Sequence, residues 1–295
     1  MATLKHKRGT SDPSTSNVAV GELAINTTDG GLFTQTDGGS VVEIGGGGGG
    51  LSSDSYENTV GGTNAGNALT SGSVSNTFLG SNAGRLIDTG DRNIAIGRYA
   101  LYTGTSASDN VGIGYNSLYA TTGDDNTAVG SYAGRNISSG ASNTVIGKSA
   151  GDQITTASNN TCVGYDSGKS NTTGTHNSPV GSNAGNAITT GSYNTLHGSK
   201  AGQTFTTQSN NTHIGYRSGG VSSSANNTCV GVNTFSERSS HENAVALGYE
   251  AGKWNQSDNC TAIGYEAVRS ASGNNNTGLG YQALRSVSTG TNNLG

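Results

Sequence analysis

The stretch NTAVGSYAGRNISSGASNTVIGKSAG, from Asn126 to Gly151, contains one pattern twice. Asn143-Thr144-Val145-Ile146-Gly147 repeats Asn126-Thr127-Ala128-Val129-Gly130 seventeen residues on, and Ala150-Gly151 repeats Ala133-Gly134. Extended outward on the glycine that closes the first motif, the alignment gives Gly62, Gly80, Gly97, Gly114, Gly130, Gly147, Gly164, Gly181, Gly198, Gly215, Gly231, Gly248, Gly264, Gly280 and Gly295, at intervals of 15 to 18. A period of this length, held over so many registers, marks a stacked repeat in which each unit buries its apolar side only against its neighbours.

Each repeat position has a physical reading. Four residues before the glycine stands Asn in twelve of the first fourteen repeats, including Asn76, Asn93, Asn110, Asn126, Asn143, Asn160, Asn194 and Asn211; Ala244 and Cys260 are the exceptions. Asn tolerates corners and bonds backbone, so stacked Asn side chains read as a structural ladder from rung to rung. Next come Thr or another β-branched residue, a variable residue, and an aliphatic one: Ile96, Ile113, Val129, Ile146, Val163 and Ile214 among others. Period-2 alternation puts Thr and the aliphatic residue on one face and Asn and the variable residue on the other. We read the aliphatic column as the thin inner seam, interrupted by Gly61 and His197. Three residues after the glycine the side chain is small throughout, which implies close approach of another backbone, either a second face of one solenoid or a neighbouring chain.

One aliphatic residue per rung, buried, returns about 1.5–3 kcal/mol. Ordering a single residue costs roughly 1–2 kcal/mol. A lone chain with so thin a core is marginal, so the expected architecture is an all-β elongated solenoid or prism rod, about 17 residues per rung, interwound as a homotrimer.

Composition agrees. Only 31% of residues are hydrophobic and 12% charged, with 49 glycines and a net charge of −4. The apolar content is too low for a thick core, and the charge is too low for a chain kept unfolded by self-repulsion. The same balance gives no electrostatic footprint for nucleic acid, since Lys5, His6, Lys7 and Arg8 form a short cluster and not a stripe. No apolar run suits a secretion signal or a membrane span. The cysteines, Cys162, Cys229 and Cys260, fit neither a disulfide framework nor a metal motif and read as small apolar fillers.

Three segments follow. Residues 1–44 read as a small hairpin module with strands at Glu22 to Asn26, Leu32 to Thr36 and Val41 to Ile44, separated by Asp-Gly-Gly turns. Residues 45–53 open with six consecutive glycines and form a linker. Residues 54–295 are the tandem repeat, about 15 units with the last incomplete; the chain stops at Asn292-Asn293-Leu294-Gly295 in mid-repeat, which suggests truncation or cleavage of a longer precursor.

Asn126 to Gly151 and NTGLGYQALRSVSTGTNN (Asn276 to Asn293) resemble the "NTAIGYQAL" repeats of phage tail fibres, over about 240 residues. LKHKRGT with GELAINTTDGGLFTQTDGG resembles the N-terminal module of phage fibres of the major tropism determinant type. A weaker resemblance is to the head repeats of trimeric autotransporter adhesins. The first two imply a non-enzymatic virion protein made in the host cytoplasm: the N-terminal module faces other virion proteins, and a trimeric rod projects toward the host for adsorption. A capsid-attached head fibre and a glycan-binding adhesin rod are the alternatives.

Asp124 with Asp125, and Asp88 with Asp91, read as solvated turn residues and not as a hydrolase pair. His176, His197, His213 and His241 lack ligand spacing within one chain, although a trimer would bring three His197 side chains to a common axis. No catalytic residue, cofactor or metal is assigned. Tyr115, Tyr165, Tyr216, Tyr249, Tyr265 and Tyr281 recur just after the glycine and are expected to form an exposed aromatic stripe, either shielding backbone corners or gripping host glycan. An ice-binding solenoid would need a flat Thr-x-Thr array, and is a remote reading.

Overall fold

The computed structural model describes residues 54, 56–70, 72–220, 224–237, 241–287 and 289–295, together with the backbone of the short strands before residue 54. The Gly45–Gly50 linker lies outside the described residues. Near the N-terminus, His6–Gly9, Leu23–Asn26, Leu32–Gln35 and Val41–Glu43 form a four-stranded sheet. The last three make the expected antiparallel meander. The first, which carries the basic residues, pairs parallel to Leu23–Asn26 and was not foreseen.

From Thr59 onward the chain is a parallel β-solenoid of about 13 turns, close to 17 residues each, with no helix among the described residues. Each turn contributes one three-residue strand to a single sheet that runs the length of the array, from Thr59–Gly61 to Thr277–Leu279. Equivalent residues pair: Thr127, Ala128 and Val129 lie beside Thr144, Val145 and Ile146. Ser52–Ser53 adds antiparallel to the first of these strands, so the sheet begins inside the segment read as linker. At a rise of about 4.8 Å per rung, thirteen turns span roughly 60 Å.

The strands alternate as expected, but with the opposite face inward. From Thr77–Leu79 onward the middle residue of each strand is buried, as at Phe78, Ala95, Ala128, Val145, Cys162 and Leu196. The residues flanking it, including the whole seam of Ile96, Ile113, Val129, Ile146, Val163 and Ile214, are exposed or half-exposed on the outer surface. The physical reason lies in the Asn column. Its amides are completely hydrogen-bonded to neighbouring turns and can be buried without an unsatisfied group, so they take the inside and carry the middle residue with them. The small residues three after the glycine, among them Ala83, Ala100, Ala133, Ala150 and Ala184, also lie in the chain's own core.

Two further core positions, four and seven residues after the glycine, exchange volume within a turn. Four residues after the glycine the backbone is left-handed in every repeat, at Gly134 (φ 55°) and Gly151 (φ 56°) as at Leu101 (φ 49°) and Leu118 (φ 47°). In six turns with Gly there, a large apolar residue follows three positions on: Gly66 with Leu69, Gly84 with Ile87, Gly134 with Ile137, Gly151 with Ile154, Gly185 with Ile188 and Gly202 with Phe205, while Gly168 and Gly252 are followed by Asn171 and Asn255. In three turns with Leu or Val there, that position is small: Leu101 with Gly104, Leu118 with Thr121 and Val268 with Ala271, while Leu284 is followed by Val287. The fit is tight, since a Cβ on Gly134 would sit 2.8 Å from Ile137 Cδ1. Either arrangement fills one core cross-section to normal density.

Candidate interaction faces

The Asn column forms a continuous internal ladder. Asn143 is typical: its backbone N–H and its Nδ2 both donate to Asn126 Oδ1 (3.1 and 3.0 Å), and Nδ2 also donates to the Ala157 carbonyl (2.9 Å). Its own Oδ1 accepts the same pair from Asn160. The ladder links Asn58, Asn76, Asn93, Asn110, Asn126, Asn143, Asn160, Asn177, Asn194, Asn211 and Asn227. It lapses at Ala244 and Cys260 and resumes between Asn276 and Asn293. Buried on the inside, these amides face neighbouring turns and present nothing to a glycan.

A second ladder escaped the sequence reading. Six residues before the glycine, in many turns, a short polar side chain accepts a backbone N–H from the preceding turn: Asp91 from Val74, Ser108 from Asp91, Asp124 from Ser108, Ser192 from Thr175, Asp258 from Glu242. Asp91 and Asp124 are therefore turn staples. The signal was a column of Ser, Asp, Thr and Asn, diluted by Val74 and Ala141.

The tyrosines just after the glycine are exposed but do not make one stripe. Tyr249, Tyr265 and Tyr281 stack at successive centroid distances of 5.3 Å, with planes within 14°. Tyr115 instead meets Tyr132 edge-on, and Tyr165 and Tyr216 have no ring partner among the described residues. The interruptions are Ser131, Lys148, Ser182, Ser199 and Val232 in the same column. Around the stack runs an ion-pair chain, Lys253–Glu250–Arg269–Glu266–Arg285, with Arg269 lying 3.9 Å over the Trp254 ring. Burial pushes the Glu250 carboxyl up, but Lys253 and Arg269 outweigh it and hold the group below its ordinary value. A second aromatic group, Tyr99, Tyr102 and Tyr119 beside Arg85, uses other repeat positions and was not seen in the sequence.

Burial separates the histidines. His213 and His241 lie fully inside; His176 stacks on Tyr193 at 4.9 Å; His197 is exposed on the sheet. Among the described residues no three His, Cys, Asp or Glu side chains are placed to hold a metal ion within one chain. The three cysteines are free and buried, and burial pushes the Cys162 thiol up to about 12 and Cys260 to about 11.

The largest regular surface is the outer face of the sheet itself. From Thr77–Leu79 to Thr277–Leu279 its two outward columns, Thr or a β-branched residue and then an aliphatic one, contain no charged residue. Exposure reaches 37% at Ile96, 39% at Ile146 and Ile214, and 45% at Leu247. A continuous apolar strip along a whole sheet is far more than the scattered exposed apolar residues of an ordinary surface. No helix of the described residues is long and apolar enough to cross a membrane. Compared with known proteins, the chain matches no family model, no curated protein and no solved structure.

Proposed function

We propose that the chain is a structural fibre protein of a bacteriophage virion, in which three copies pack through the outer sheet face into one rod. Residues 1–44 attach to other virion proteins, and the solenoid extends toward the host surface to serve adsorption. The observation that carries the trimer is the uncharged Thr and aliphatic strip, which repeats at the spacing of the turns. A second copy carries the same strip at the same spacing, so parallel copies match layer by layer, and closure about a threefold axis covers every strip at once. The phage setting rests on the resemblance of Asn126–Gly151 and Asn276–Asn293 to tail-fibre repeats.

The capsid-attached variant shares this architecture. The glycan-adhesin alternative has less support, because in the Tyr249–Tyr265–Tyr281 stack each ring covers the face that a sugar would use. Light scattering on the full chain tests the assembly: the expected mass is three times the 29.5 kDa of one chain. A folded monomer overturns the proposal. Antibody labelling of virions then distinguishes tail from capsid.

A further inference from the structure

His197 is the one titratable side chain in the outward columns of the parallel sheet between Leu79 and Leu279. It stands in the aliphatic column, in register with Val180 on one neighbouring strand and Ile214 on the other. Its Nε2 lies 3.3 Å from the hydroxyl of Ser178, which occupies the threonine column one turn earlier. Everything else around it on that face is Thr, Ser or aliphatic.

We propose that three copies of His197, one from each chain, form a binding site for a divalent transition-metal ion on the axis of the rod. The inference rests on the trimeric fibre reading and deepens it. In a parallel, in-register trimer, threefold symmetry sets each residue of the aliphatic column against its own copies. At Val180 and Ile214 this makes apolar layers that keep water out. Between them it makes a layer of three imidazoles, and ring nitrogens buried there without partners are costly. A metal ion held by three imidazole nitrogens removes that cost, with water or an anion completing its coordination, and nitrogen ligands favour zinc, nickel, cobalt or copper. Ser178 supplies the supporting contact that such ligands use. An imidazole donating Nε2–H to the hydroxyl keeps the Nδ1 lone pair for the ion. Each chain offers a single ligand, so the site is incomplete without its partners.

The test uses the untagged full chain, stripped with EDTA and dialysed against zinc, nickel or cobalt. Metal content and light-scattering mass are read on the same fractions. The expected result is one ion per three chains, a visible absorption band with cobalt, and a thermal midpoint that falls on chelation. His197→Val, which places the residue of positions 163 and 180 in the column, should remain trimeric, bind no metal and show no chelator effect. A trimer that takes up no metal, or equal uptake by His197→Val, overturns the metal site and leaves the fibre reading standing. A monomeric wild-type chain overturns both.

Discussion

The glycine that defines the register is fixed by two independent constraints. Along the column its backbone has φ between 117° and 138°, a region that L side chains rarely adopt. It also packs backbone to backbone with the next turn, so that a Cβ on Gly147 would stand 2.6 Å from the Gly164 carbonyl oxygen. Gly147→Ala is expected to destabilise the chain by more than the roughly 1 kcal/mol of a conformational penalty alone, seen as a lower urea midpoint. The Asn column allows a sharper comparison. Asn143→Ala removes four side-chain hydrogen bonds, three of them to the next turn, and leaves the Asn160 amide and the Asn126 Oδ1 short of partners. Among the described residues Asn227→Ala removes the contacts to Asn211 and Ala244 alone, and the ladder lapses above it. With buried unpaired groups worth about 1–3 kcal/mol each, Asn143→Ala should cost several kcal/mol and Asn227→Ala clearly less. Equal losses would show that the ladder carries no energy.

At the scale of single turns, two that carry buried histidines, one near the end of the first ladder run and one in the gap that follows it, differ from the rest. His213 takes the middle-strand place that Leu196 and Cys229 hold in adjacent turns, against Phe205 at 5.0 Å, and its Nε2 has no partner. His241 packs on Phe235 at 4.0 Å, and both its ring nitrogens lack partners among the described residues. Burial drives His213 down to about 3, with the nearby His241 adding to the effect and a Ser218 contact opposing it. Burial likewise drives His241 to about 4, against the pull of Asp258. Both folded values lie below the ordinary 6.5, so between about 6.5 and 4 the unfolded segment binds protons that the folded one refuses. Stability is therefore full above pH 6.5 and declines as pH falls, by up to about 2.7 kcal/mol per pH unit while both groups contribute. Urea midpoints at pH 7 and pH 5 should differ strongly for the wild-type chain and less for His213→Leu. An equal drop in both would place the acid sensitivity elsewhere. Volume exchange within a turn is testable in the same way: Gly134→Leu and Ile137→Ala should each destabilise, and the double variant should lose less than their sum.

At the scale of the whole molecule, the repeat in the sequence already determined the architecture, because a 17-residue period with Asn, Thr and Gly at set places admits few arrangements other than stacked turns. The direction of the sheet was harder to read. Val129 and Ile146 look like core on hydropathy alone, whereas the mixed column of Ala128, Val145 and Cys162 does not, although it is the one fully buried. Buried amides contradict the usual expectation for Asn, and only the neighbouring turns, which no single repeat contains, show how they are satisfied. The inversion bears on the proposed assembly, since it sets the aliphatic column outward, where a second copy can cover it. Val145 and Ile146 are adjacent in sequence and point to opposite sides of the sheet. Val145→Asp places an unpaired carboxylate in the core and should unfold the turns around it, with loss of β-sheet signal in circular dichroism. Ile146→Asp leaves the solenoid interior untouched and sets three like charges against one another at the contact. It should lower the light-scattering mass to that of one chain while the circular dichroism spectrum is retained. If Ile146→Asp keeps its trimeric mass, or unfolds as Val145→Asp does, the outer sheet face is not where the copies meet.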